Sequence, residues 1–183
     1  MRTSLVLTVI GTDRPGIVEQ ISDQVLAAGA NWEESRMARL AGKFAGVLRV
    51  SVDTERANRL VDDLRALASG DLTVVIELGT EASASSSRAL GIEIVGQDRP
   101  GIVRDISHVL ARRGVNIEEL ETEVTSAAMS GEPTFRARAR VRLPDATSVD
   151  DIRAALEAMA DNLMVDLELD ERESIAHVPT KEK

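Results

Sequence analysis

The chain repeats itself. Gly11-Thr-Asp-Arg-Pro-Gly-Ile-Val18 returns as Gly96-Gln-Asp-Arg-Pro-Gly-Ile-Val103, at an offset of 85 residues. Over positions 11–34 the copies share 13 of 24 residues, among them Ile21-Ser22 with Ile106-Ser107, Gly29 with Gly114, Asn31 with Asn116 and Glu33-Glu34 with Glu118-Glu119. A chain of 183 residues built this way holds two small domains, one per copy. Between the copies, residues 81–87 are small and polar and are expected to form a linker. The charged, aperiodic end at 170–183 has too little apolar surface to offset its ordering entropy, and is expected to be a disordered tail. The domains are then 1–80 and 88–169.

Both copies carry the same succession of patterns. Ser4–Ile10 and Leu90–Val95 are apolar and β-rich, and predict first strands. Pro15 and Pro100 suit the first position of a helix, and Gly29 and Gly114 its stop. Ile17, Ile21, Val25 and Ala28 share one helical face; Ile102, Ile106, Val109 and Arg113 do so less cleanly. Strands follow at 31–40 and 43–52 around Ala41-Gly42, and at 115–126 and 134–143 around Gly131-Glu-Pro133. Leu60, Leu64 and Leu67 mark a second helix, as do Ile152, Leu156 and Met159 behind the capping pattern Ser148-Val-Asp-Asp151. Leu72–Leu78 and Leu163–Leu169 close the two units. The fold class is α+β: two ferredoxin-like βαββαβ units, each a four-stranded antiparallel sheet with both helices on one face. Units this small leave a sheet edge or face in need of cover, so side-by-side pairing is expected.

The repeated segment lies between a strand end and a helix start, where free backbone N–H groups and the helix dipole favour an anion. Gly16 and Gly101 remove a side chain where a ligand carboxylate could approach the backbone. Asp13 and Asp98 could accept from an ammonium group, and Asn31 and Asn116 both donate and accept. A carboxylate receptor beside an ammonium receptor is the chemistry of free amino-acid binding. A second reading stands beside it: Asp, Pro and Gly shape the turn and cap the helix.

The pattern Gly-x-Asp-Arg-Pro-Gly-Ile-Val after a first strand, followed by Gly-x-Asn at the next, resembles the ACT domain, a small-molecule-sensing module of amino-acid metabolism. Two in tandem with little else resemble the family of glycine cleavage system repressors, over residues 1 to about 169. The resemblance implies ligand loops at Asp13, Arg14, Pro15, Gly16 and Ile17 and at Asp98, Arg99, Pro100, Gly101 and Ile102, facing Asn31 and Asn116 of a neighbouring unit. It implies a small amino acid as ligand, glycine or serine, and a protein partner such as a transcriptional activator, with no direct grip on nucleic acid. A homodimer is also in keeping with it. Trp32 stands where the second copy has Ile117, and Ala28 where it has Arg113, so the two sites need not be equivalent. Other expectations compatible with the residues are a constitutive interaction module and a regulatory subunit of an amino-acid or one-carbon enzyme.

Composition narrows the chemistry. With no Cys and two His, thiolate catalysis, Cys-based zinc sites and a His dyad have no material, so no catalytic residue, metal site or cofactor is expected. A net charge of −9 disfavours nucleic acid and anionic membrane, and one Trp with two Phe gives no stacking platform. No apolar window approaches a membrane span, and the expected location is the cytoplasm. Arg136, Arg138, Arg140 and Arg142 alternate with apolar residues and so share one strand face. Their expected partners are Glu119, Glu121 and Glu123 on the neighbouring strand, together with Glu93. Trp32 is expected to anchor a core or interface, and His108 to be solvated.

Overall fold

The structure, a computed structural model, describes residues 1–68, 70–80, 88–126, 132–163 and 165–170. The expected linker at 81–87 lies outside the described residues, as does the expected tail at 170–183 except for Asp170, which closes the last strand. The chain divides into two compact units, Met1–Ser83 and Ala84–Lys183.

The first unit runs β1 (Arg2–Thr12), α1 (Ile17–Ala27), β2 (Asn31–Leu40), β3 (Lys43–Asp53), α2 (Thr54–Ala66) and β4 (Thr73–Leu78), with sheet order β2-β3-β1-β4. The second runs β5 (Arg88–Gln97), α3 (Ile102–Ala111), β6 (Asn116–Ser126), β7 (Pro133–Leu143), α4 (Val149–Leu163) and β8 (Val165–Asp170), with order β6-β7-β5-β8. All strand neighbours are antiparallel. These are two βαββαβ units of the ferredoxin-like kind, as the repeat predicts.

Strand alternation builds each core. Leu5, Leu7 and Val9 of β1 turn inward, with Leu48, Val50 and Val52 of β3, and meet Ile17, Ile21 and Val25 of α1 and Leu60 and Leu64 of α2. The second unit repeats this with Leu90, Ile92 and Ile94 against Ile102, Ile106 and Leu110 of α3 and Ile152 and Leu156 of α4. Trp32 packs on the first core as a partly buried anchor.

Two helix details differ from expectation. The buried face of α3 continues through Leu110, which is fully buried, while Val109 only borders the core and Arg113 is exposed. Leu110 occupies the place of Val25, so the two helices are equivalent after all. Pro15 and Pro100 sit in the preceding turn rather than at the first helical position, because Gly16 and Gly101 intervene as N-caps. The expected stops hold: Gly29 and Gly114 have φ of 65° and 69°, and Ala30 N–H to Val25 O (3.0 Å) and Val115 N–H to Leu110 O (3.1 Å) close both helix ends. Ser148 caps α4 as its pattern predicts, accepting from the Asp151 N–H at 3.0 Å.

The hairpin between β2 and β3 turns on Ala41 and Gly42, with φ of 49° and 75°. A left-handed alanine is strained, and Asn-Gly is the favoured pair for such a two-residue turn. Ala41→Asn is expected to stabilise the chain by roughly 0.5–1 kcal/mol in urea unfolding. An unchanged or lowered midpoint would contradict this account of the turn.

Candidate functional site

β1 and β5 deliver the chain into equivalent loops, and the backbone fastens both. The Asp13 N–H donates to the Gly42 carbonyl at 2.9 Å, and the Asp98 N–H to the Pro133 carbonyl at 3.0 Å. Each loop is thus tied to the hairpin end beside it. Gly16 and Gly101 then adopt φ of 90° and 93°, and their carbonyls accept the first helical bonds, from Gln20 N–H (2.9 Å) and Asp105 N–H (3.0 Å). A Cβ on Gly101 would meet nothing within 4 Å, and on Gly16 only the Glu19 Oε2 at 3.7 Å. The backbone conformation, rather than lack of room, is what calls for glycine. No side chain caps either helix at its N-cap, so the first-turn amides of α1 and α3 point out of the helix start unopposed by a cap. With the helix dipole they form an anion-receptive corner in each unit.

The side chains around these corners differ. Asp13 is held by Arg39, Nε to Oδ2 at 2.6 Å. Val124 stands at the place of Arg39 in the second unit, and among the described residues the Asp98 carboxylate has no ion-pair partner. Both loop arginines fold back onto their own helix. Arg14 Nη2 donates to Gln20 Oε1 at 3.0 Å, and Arg99 Nη2 to Asp105 Oδ2 at 2.7 Å. The Arg99 Nε is buried without an acceptor. Lys43 Nζ donates to Thr12 Oγ1 at 3.0 Å. A hydrogen bond from the Thr12 side chain, aided by the Asp71 backbone and the charges of Lys43 and Arg14, holds the Asp71 carboxyl below the usual aspartate value. Arg39, Lys43 and Asp71 gave no sequence signal, because they fall outside the repeated segment.

The asparagines lie elsewhere. Asn31 pairs with Ser51 and Ser51 with Ser4, which places it at the start of β1. Asn116 pairs with Arg142 and Arg142 with Ala89, at the start of β5. Nine residues of extended chain, about 30 Å, separate each from the loop of its own unit. The structure therefore brings together Asp13–Ile17 and, separately, Asp98–Ile102, and leaves Asn31 and Asn116 at the far ends of the sheets. Among the described residues, no group of three or more His, Asp or Glu could hold a metal ion, and no helix is long and apolar enough to cross a membrane.

The arginine row of β7 forms an ion ladder. Arg138 reaches Glu93 at 3.2 Å, Arg136 reaches Glu93 at 3.7 Å and Glu123 at 3.9 Å, and Arg140 bonds Glu119. Glu121 stands opposite Arg138 in register, yet Arg138 turns to Glu93. Glu118 joins unexpectedly, pairing with Arg140 and Arg142, because the register shifts between Ile117 and Glu119. The first unit shifts at the same place, between Trp32 and Glu34, and Arg49 lies 3.3 Å from Glu33 and 3.9 Å from Glu34. The repeated Glu-Glu pair thus belongs to a bulge and its ion pairs.

Two loops of one design stand on two ferredoxin-like units in tandem, and residues 3–77 and 91–161 each match the ACT domain family. The chain belongs to that family. Over 162 residues it is 26% identical to the glycine cleavage system transcriptional repressor of Escherichia coli, covering 87% of this chain and 85% of that one. It also resembles the solved structure of an unknown protein from Galdieria sulphuraria, with a TM-score of 0.84 and 32% identity, over 93% of this chain and 99% of that one. A crystal structure of a protein proposed to be a glycine cleavage system transcriptional repressor shares the fold, with a TM-score of 0.67 and 20% identity, over 93% and 97% of the two chains.

Gly101→Ala should cost about 1–2 kcal/mol in chemical denaturation although its methyl group has open space, since the cost is that of a left-handed alanine. No loss of stability would show that the loop can adopt another conformation. Because the folded-state pKa of Asp71 is depressed, its contribution is present above the ordinary aspartate range and disappears as pH falls through the folded value. The urea midpoint of Asp71→Asn should therefore lie below wild type at neutral pH and converge with it in acid. A gap that does not change with pH would remove Asp71 from the loop's electrostatics.

Proposed function

We propose that the chain is a non-enzymatic, cytoplasmic amino-acid sensor that regulates transcription through a protein partner rather than by gripping nucleic acid. The ligand is a small amino acid, glycine or serine, with its carboxylate at the uncapped start of α1 or α3. The observation that carries this reading is the duplicated corner: two loops, each entering its helix through a left-handed glycine with no side-chain cap. ACT-family membership and the likeness to a glycine cleavage system repressor support it. Asp13, Arg14, Pro15, Gly16 and Ile17, with Asp98, Arg99, Pro100, Gly101 and Ile102, are the proposed binding residues. Asn31 and Asn116 enter as contributors remote from the loop of their own unit. The site at Asp98 is the better ammonium receptor, since Asp13 is already neutralised by Arg39.

A ligand alters partner binding only through different affinities for two arrangements of the protein. The same arginine contacts favour a second reading, a constitutive interaction module with unused loops, because Arg14, Arg39 and the Nη2 of Arg99 are already engaged by groups of their own unit. A thermal-melt screen against each free amino acid separates the two. A ligand specific to the folded state at a hundredfold excess over Kd adds roughly 2.7 kcal/mol of stability. A selective rise with glycine or serine, lost in Gly101→Ala at a temperature where that variant is folded, is the expected result. A flat panel would discard the sensor and leave the interaction module.

A further inference from the structure

The two corners share one backbone path, yet their first helical turns carry opposite charges. Glu19 of α1 stands where α3 has Arg104, in each case the third residue after the left-handed glycine. A helix tilts its side chains back toward its own N-terminus, so this position borders the corner. The Glu19 Oε2 lies 3.7 Å from the place a Cβ on Gly16 would take, whereas nothing stands within 4 Å of that place on Gly101. The Glu19 carboxylate thus sits where the dipole of α1 favours an anion. Asp13, the other half of the receptor, meets the Arg39 Nε at 2.6 Å. The first corner therefore already holds a carboxylate at its helix start and a cation on its aspartate, the two charges a free amino acid would bring. The second corner is supplied with neither. Arg104 replaces Glu19, Val124 replaces Arg39, and Asp98 has no ion-pair partner among the described residues. The acid in the first turn of α3, Asp105, is neutralised by Arg99 at 2.7 Å.

We propose that the first corner is filled by the chain's own charges and that the second alone takes the ligand, with Glu19 and Arg104 as the residues that decide between them. This rests on the sensor reading above and narrows it to one amino acid per chain. Its carboxylate lies at the start of α3 beside Arg104, and its ammonium group on Asp98. A carboxylate entering at α1 would meet Glu19 as a like charge. At about 5 Å and the dielectric of a protein surface, such a repulsion weakens binding about tenfold or more. Gly16 and Gly101 have φ of 90° and 93°, so charge rather than shape distinguishes the corners. One unit responds to the ligand, and its twin is held permanently in a state that resembles occupancy.

Calorimetric titration of the whole chain with glycine, and separately with serine, tests this. One equivalent per chain is expected, and Arg104→Glu should weaken it about tenfold or more. Glu19→Arg with Arg39→Val gives the first corner the residues of the second, and a second equivalent should then appear. Both side chains are exposed, and circular dichroism checks that the double variant is folded. Two equivalents in the wild type, a single one indifferent to Arg104→Glu, or a folded double variant that still binds one would each overturn the assignment while leaving the sensor reading intact. Acetate, which has the carboxylate alone, separates the two failures where neither amino acid gives heat. Amide NMR shifts at Ile102 and Val103 but not at Ile17 and Val18, extended to the latter pair in Glu19→Gln, would uphold the assignment although the sensor reading falls. An equal response in both loops, or none in either, would overturn it.

Discussion

The inward-facing alternate residues of the first strand hold each unit together. Leu5, Leu7 and Val9, or Leu90, Ile92 and Ile94, lie on a central strand flanked by two others, and both helices rest on the apolar surface they help form. Each inward residue fixes the direction of its outward neighbour, because strand period leaves no choice. Buried Ala137, Ala139 and Val141 likewise commit four arginines to the opposite side of β7. The helix starts, the loops and the chemistry of the solvent face all follow from that commitment.

What the loops offer is a backbone, held by backbone. The hydrogen bond from the motif's aspartate amide to the adjacent hairpin sets the path, and the left-handed glycine sets the direction in which the helix opens. Side chains then adjust two copies of one corner differently. A neutralised aspartate in the first and, among the described residues, one without an ion-pair partner in the second make the pair unequal in charge while leaving them equal in shape. Shape was kept through the duplication and electrostatics was not.

The βαββαβ order, the central core residues and the helix stops were readable from the sequence, because each depends on local period or on a glycine at a fixed place. The α3 face went astray at Val109 and Arg113, since a ten-residue helix tolerates either of two adjacent stripes until Leu110 meets a core. Glu118 was missed for a related reason: a bulge moves a residue across the pleat, and nothing in the local pattern of Asn116–Glu119 announces it. At the candidate site, both loops and their glycines were legible through the repeat. Arg39, Lys43 and Asp71 were not, because they reach the corner from β2, from β3 and from the turn before β4, outside the repeated segment.

Trp32 gives the molecule an optical asymmetry. The chain has no tyrosine and this single tryptophan, and it packs on the core of the first unit. Tryptophan emission is therefore a property of one half of the chain, and the second half contributes only the far weaker Phe135. A change in that emission caused by an event at Asp98–Ile102 would register that event in the first unit. The bare composition has thus placed an optical reporter in one of two units of the same design.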